Sequence, residues 1–115
     1  MRPRLLVLCA LAATTLSAAA PPARSQQGDA FMYCELRDAV HSVAYFSTVF
    51  RALPEPSVPY ADRFHDFVFR AYNKVYGTAK CVSFENSYKA EDAKDRTRFR
   101  YRGLFNKFIE TGWRG

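Results

Sequence analysis

The stretch FMYCEL at residues 31–36 alternates in the manner of a β-strand, with Cys34 and Leu36 on the same face. Val43–Phe50 alternates again and is rich in aromatic and β-branched residues. Arg37–Ser42 lies between the two runs and has the length of a turn. The sequence therefore predicts a two-stranded hairpin that carries Cys34 in its first strand.

A second cysteine lies in a third predicted strand. Ala79–Glu85 has the residues of a strand, and it comes within reach of the hairpin if the two are neighbours in one sheet. Export to an oxidising compartment favours joining Cys34 to Cys81. A reactive thiol or a metal ligand is the alternative, but the chain has neither a C-x-x-C spacing nor a nearby histidine cluster. We predict a structural disulfide between Cys34 and Cys81.

The chain begins with the layout of a secretory signal peptide. Met1–Arg4 is basic, Leu5–Ala13 is apolar, small residues follow, and no acidic residue occurs before Asp29. The apolar run is shorter than the roughly 20 residues that cross a bilayer, although a retained anchor is the alternative. We predict cleavage after Ser25, with Ala20 as the second choice, and export to the periplasm or the medium with no stable membrane anchor afterwards.

Cleavage after Ser25 divides the chain into a signal peptide at residues 1–25, a flexible leader at 26–30 and a small α+β domain at 31–115. The signal peptide removes three of the 17 Lys and Arg residues and none of the 11 Asp and Glu residues, so the net charge falls from +6 to +3. A charge of this size is ordinary for a small domain. The basic precursor is therefore a poor argument for nucleic-acid binding.

The middle of the chain predicts a loop followed by a helix. Residues 51–59 contain three prolines. Ala61–Val75 then places apolar residues at three- and four-residue steps, and Gly77 is a natural stop for the helix.

The last third is less clear. Residues 87–102 start like a helix capped by Ser87, but residues 96–102 alternate with period two, which favours a strand. We predict a helix, with a strand as the alternative for residues 96–102. Lys107–Trp113 reads as an edge strand. The predicted order is ββαβαβ, a two-layer α+β sandwich of one sheet and two helices.

Four arginines alternate with other residues near the end of this predicted helix: Arg96, Arg98, Arg100 and Arg102. On a strand, their guanidinium groups would share one face and could bind phosphate or carboxylate groups. On a helix, they would spread around the axis and form no patch. They are the candidate anion-binding residues, although long side chains that cover apolar surface are the ordinary interpretation.

Other catalytic or metal-binding patterns are weak. His41 and His65 could serve as acid and base in a small secreted ribonuclease, but nothing in the sequence brings them together. Glu91, Asp92 and Asp95 are typical of the acidic first turn of a helix. We predict no metal, no cofactor and no catalytic residues.

Several residues resemble a pattern found in small exported bacterial proteins of unknown function. They are Tyr33-Cys34, Tyr45-Phe46-Ser47, Val49-Phe50, Tyr76-Gly77, Cys81 and Thr111-Gly112-Trp113. This resemblance covers residues 31–113 and implies no activity. The second half is also similar to one half of a SPOR domain, a peptidoglycan-binding module, in its order of strand, helix and strand. The opening hairpin departs from the SPOR order.

These observations favour an exported, non-enzymatic domain that binds a cell-envelope component or a protein partner. A module that binds a polyanion or peptidoglycan, in the manner of a SPOR domain, is one alternative. A small ribonuclease-like hydrolase is the other. The sequence names no specific partner.

Overall fold

The computed structural model describes residues 30–53 and 58–115. The predicted signal peptide and all of the predicted leader except Ala30 lie outside these residues, and so does Cys9. Among the described helices, none combines the length and apolar character needed to cross a membrane.

Five strands and two helices make up the described domain. In chain order they are β1 Ala30–Asp38, β2 Val43–Phe46, β3 Phe50–Ala52, α1 Tyr60–Ala71, β4 Ala79–Phe84, α2 Ser87–Tyr101 and β5 Lys107–Glu110. The predicted α+β class, with one sheet, two helices and one disulfide, is confirmed.

The predicted second strand is interrupted, and this adds a strand to the predicted order. After β2, Ser47 donates its backbone N–H to the carbonyl of Cys34, and its hydroxyl donates to the carbonyl of Thr48. The chain then resumes pairing with the start of β1, where Phe50 lies opposite Met32. β1 is long enough to pair with β2 and β3 one after the other along the same side.

The sheet is mixed, and β1 is its central strand. β2 and β3 lie along one side of β1 and β4 along the other, all antiparallel to it. β5 pairs with β2 in parallel and is an edge strand, as predicted, but it ends at Glu110. The order across the sheet is therefore β4, β1, β2, β5.

The two helices cover opposite faces of the sheet. Cys34 and Leu36 of β1 lie in a core cluster with Phe64 of α1, whereas Tyr33 lies in a second cluster with Tyr101 of α2. The domain thus has three layers, and the predicted two-layer arrangement is wrong.

The direction of the two crossover connections explains the third layer. The chain crosses from β3 to β4 through α1, and then back from β4 to β5 through α2. β2, β3 and β4 are all antiparallel to β1, and β5 is parallel to β2. The strands β3, β4 and β5 therefore run in the same direction, so each crossover joins two parallel strands. Crossover connections between parallel strands are right-handed. Two right-handed crossovers that cross the sheet in opposite directions must place their helices on opposite faces of it.

The first helix ends at Ala71, earlier than predicted. Tyr72 is already extended, and the following turn inserts Val75 into the core and directs the N–H of Tyr76 to Asp38. Gly77 does not stop the helix; it has a φ of +128° and passes so close to the carbonyl of Arg37 that a Cβ atom would collide with it.

The second helix is confirmed, and the alternative strand at residues 96–102 is wrong. The N-cap is Asn86, whose side chain accepts the N–H of Lys89, instead of the predicted Ser87. The pattern of burial is helical: the buried residues recur every three or four positions on one side of α2. They are Ala90, Lys94, Thr97 and Tyr101.

The predicted disulfide is confirmed. Cys34 and Cys81 lie directly opposite each other in β1 and β4, and the bond closes a loop of 47 residues. Cys81 was predicted in the third strand; it lies in the fourth because the structure contains the additional strand β3. Cys34 is fully buried among the side chains that face α1.

Loss of this bond should destabilise the domain. In the chain-entropy description a crosslink that closes a loop of this length contributes about 4 kcal/mol. We expect the variant Cys34→Ala/Cys81→Ala to lose about that amount of unfolding free energy in denaturant titrations. The unmodified protein should approach the variant when reductant is added; an unfolding midpoint that reductant leaves unchanged would contradict the prediction.

Candidate functional site

The four predicted anion-binding arginines divide into separate environments on α2. Arg96 pairs with Asp92 at 2.7 Å, and Arg100 donates to Thr97 at 3.4 Å. Arg98 approaches Glu110 at 3.5 Å, and Arg102 lies over the ring of Phe99. The common face that a strand would have given does not form, because helical residues two apart point in very different directions.

Arg96 and Arg100 share one flank of α2, where a groove of about 390 Å³ runs along the helix and reaches Phe84 at the end of β4. This α2 groove is lined by Phe84, Tyr88, Lys89, Asp92, Ala93, Arg96, Thr97 and Arg100. Tyr88 is highly exposed. Lys89 pairs with Glu85, so Arg100 is the lining cation without a carboxylate partner within the described residues.

Two further cations border the hydrogen-bonded pair of Tyr101 and Glu35, and the charge of Arg100 also acts on Tyr101. Arg37 of β1 places its guanidinium carbon 5.9 Å from the centre of the Tyr101 ring. Lys80 of β4 lies opposite Glu35 in the strand register, and its Nζ is 3.8 Å from Glu35 Oε2. Arg37, Lys80 and Arg100 are all exposed. We call these three residues the basic rim; each comes from a different element.

A buried polar network lies beneath the basic rim. Tyr101 donates its hydroxyl to Glu35 Oε2 at 3.1 Å, and the Tyr33 hydroxyl bonds Thr97 Oγ1 at 3.0 Å. Glu35 is 3% exposed, and its other oxygen, Oε1, is buried without a hydrogen-bond partner in the described part of the chain. A buried charge needs such partners to be tolerated. The network therefore joins β1 to α2, and Arg100 contacts it through Thr97 Oγ1.

The pKa of Tyr101 depends on residues of both the buried network and the basic rim. Burial raises the pKa of Tyr101 to about 12, and the hydrogen bond to Glu35 and the charge of Glu35 act in the same direction. The positive charges of Arg37 and Arg100 oppose this rise. Tyr101 thus stays a neutral donor to Glu35 at physiological pH.

The sequence contained a signal for two members of the rim that our prediction missed. Arg37 is two residues after Glu35 in β1, so both side chains lie on the same face of the strand. Once Cys34 and Cys81 are paired, antiparallel register places Lys80 opposite Glu35. The disulfide alone therefore brings Arg37 and Lys80 near each other; only Arg100 needs the helix.

The two histidines lie in different surroundings. Nδ1 of His41, in the turn after β1, is 2.7 Å from Oδ2 of the buried Asp38, and the His41 ring stacks on Tyr76. His65 on α1 stacks on Phe69. No hydrogen bond, ion pair or ring contact between the two histidines occurs in residues 30–53 and 58–115.

Acidic residues of α2 do not gather into a metal site. Asp92 pairs with Arg96. Within the ranges that the structure describes, no group of three or more His, Cys, Asp or Glu residues could hold a metal ion.

Comparison with known proteins finds no relative. No family model, no curated protein and no solved structure matches this chain.

The buried Asp38 carboxylate at the end of β1 accepts hydrogen bonds from His41 and Tyr76. Burial alone would raise the pKa of Asp38, but hydrogen bonds from the His41 side chain and from the N–H groups of His41 and Tyr76 lower it below the usual value. A carboxyl group whose pKa is lowered by folding stabilises the fold above its unfolded-state pKa, and that stability is lost as the pH falls through the folded value.

We therefore expect Asp38→Asn to reduce the unfolding free energy at pH 7 and to have a smaller effect as the pH is lowered below about 4. Urea titrations at several pH values measure the difference between the variant and the unmodified protein. Asp62→Asn, at an exposed position of α1, is the control. A difference for Asp38→Asn that stays constant from pH 7 to pH 2 would contradict the assigned role of the charge.

Proposed function

We propose that this chain is an exported, disulfide-stabilised domain that binds an anionic ligand at the basic rim. The observation that carries the proposal is that three exposed cations, from β1, β4 and α2, border the buried pair of Tyr101 and Glu35. The fold fixes the backbone positions of these three residues relative to one another. Such a cluster attracts phosphate or carboxylate groups more strongly than isolated surface charges do.

Export is supported by two features that are independent of each other. The N-terminal sequence has the layout of a signal peptide. The Cys34–Cys81 bond is typical of proteins that work in oxidising compartments. The periplasm and the medium are both compatible with these features. The ligand would then be an anion of the cell envelope, such as a phosphate-bearing or carboxylate-bearing polymer.

The charge balance favours an anion over a cation. Around the rim, Arg37, Lys80 and Arg100 carry three positive charges, and Glu35 carries the opposing negative charge. Glu35 is buried beneath Tyr101 and Lys80, so its charge faces the protein interior. The surface that meets a ligand is therefore positive.

Peptidoglycan is one member of this ligand class. The unit β4-α2-β5 has the strand, helix and strand order on which the similarity to half of a SPOR domain depends. Many α+β domains share this order, so the proposal depends on the rim and not on that similarity. The placement of His41 and His65 gives the ribonuclease-like alternative no support.

Removing the rim charges should weaken polyanion binding. We expect the mature variant Arg37→Gln/Lys80→Gln/Arg100→Gln to elute from heparin at lower salt than the unmodified domain. The slope of log affinity against log salt should fall by about 0.7–0.9 for each phosphate-like contact that is lost.

A control variant with the same change in net charge separates a site from a general charge effect. Arg63→Gln/Arg70→Gln/Lys74→Gln removes three exposed cations from α1 and the turn after it, on the other side of the sheet. We expect this control to retain most of the heparin affinity. Equal losses in the two triple variants would show that net charge alone governs retention, and the proposed site would then be wrong.

A further inference from the structure

The backbone of Cys34 determines which groups of β4 point outward. The N–H of Cys34 donates to Ser47 Oγ at 2.8 Å, and its carbonyl accepts the N–H of Ser47 at 2.9 Å. Both backbone groups of Cys34 therefore point away from β4. In an antiparallel ladder the residue opposite, Cys81, then also directs its N–H and carbonyl away from β1.

The same alternation extends along β4. Ala79, Cys81 and Ser83 direct their backbone groups to the outer edge of the sheet, while Lys80, Val82 and Phe84 bond to β1. β4 pairs with β1 alone, and no described residue forms a backbone hydrogen bond with the outer edge. These three residues thus present outward donors and acceptors on an extended strand of six residues, which is about 20 Å long.

The helix α2 packs against β4. At one end, Phe84 and Tyr88 both line the α2 groove. At the other end, Lys80 of β4 and Tyr101 of α2 both reach Glu35. α2 therefore runs back along β4, and a chain that lay against the edge of β4 would pass Arg100 and Lys80.

We propose that the ligand of this site is an extended acidic segment of another polypeptide, which adds as a strand to the outer edge of β4. This inference rests on the proposed function and names the partner class for the same site. A polysaccharide or a nucleic acid could use the cations of the rim, but only a polypeptide backbone has the alternating N–H and C=O groups that complete the ladder of β4.

Charge complementarity gives the partner its acidic character. Side chains of an added strand alternate between the two faces of the sheet, so every second one faces α2. On that face they meet Arg100 and Lys80, which favour glutamate or aspartate. A second copy of this chain is a poor occupant, because β4 against β4 would bring the same cations together.

Strand addition is tested with a ten-residue parent peptide and two derivatives of it that carry N-methyl groups on selected backbone nitrogens. The parent peptide alternates glutamate and threonine; one derivative is N-methylated at the threonines and the other at the glutamates. Charge is identical in all three. If the peptide pairs antiparallel to β4, the threonine N–H groups face β4, and methylation of the threonines removes these donors. If the peptide pairs parallel to β4, the glutamate N–H groups face β4, and methylation of the glutamates removes them.

We expect one derivative to bind at least about tenfold more weakly than the parent peptide, because it loses several hydrogen bonds to β4, and the other to bind within about twofold. Hydrogen exchange should show the amides of Cys81 and Ser83 exchanging quickly in the free domain and slowly with the parent peptide. The amides of Lys80 and Val82 should be slow in both states.

Substitutions at Ser83 of the protein test strand addition independently of the peptides. Ser83→Pro removes one outward N–H without removing a bond to β1 and should weaken the parent peptide, whereas Ser83→Ala should not. The proposal is overturned if the three peptides bind equally, or if Cys81 and Ser83 are already protected in the free domain by dimerisation. Heparin retention that still depends on the basic rim would then leave the proposed function intact; loss of that dependence would remove both.

Discussion

Cys34 is the residue on which the architecture depends, because it fixes both neighbours of the central strand. Its backbone bonds Ser47 on one side, at the point where β2 gives way to β3. Its sulfur bonds Cys81 of β4 on the other side. A slip of one residue in either pairing would turn every side chain of a strand to the opposite face. The covalent bond and the two hydrogen bonds together exclude such a slip.

Local patterns in the sequence predicted most elements but not their arrangement. Alternation identified β1 and β4, and helical spacing identified both helices, because each signal comes from burial of a nearby face. The three-layer packing was missed because it depends on the strand order, which periodicity does not contain. The end of α1 was missed for a similar reason: the bond from Tyr76 to Asp38 joins residues that are 38 positions apart. Long-range contacts of this kind override a local helix pattern.

The candidate site shows the same limit on sequence reasoning. The alternation of residues 96–102 drew attention to four arginines, but the spacing of buried residues in α2 separates them. The arginine that belongs to the rim, Arg100, is joined there by Arg37 and Lys80 from distant parts of the chain. These two could have been found by extending the register from the predicted disulfide. A covalent constraint between strands is therefore a better guide to such a surface than a run of like residues.

The two faces of β1 carry different kinds of side chain. Cys34 and Leu36, which face α1, are apolar and fully buried, and Cys34 forms the disulfide. The residues that face α2 are Tyr33, Glu35 and Arg37, which build the buried network and the rim. Glu35 costs free energy to bury, and Oε1 lacks a partner among the residues described. The fold tolerates this cost because the apolar face and the disulfide supply stability on the other side of the strand, which leaves the polar face free to hold charge.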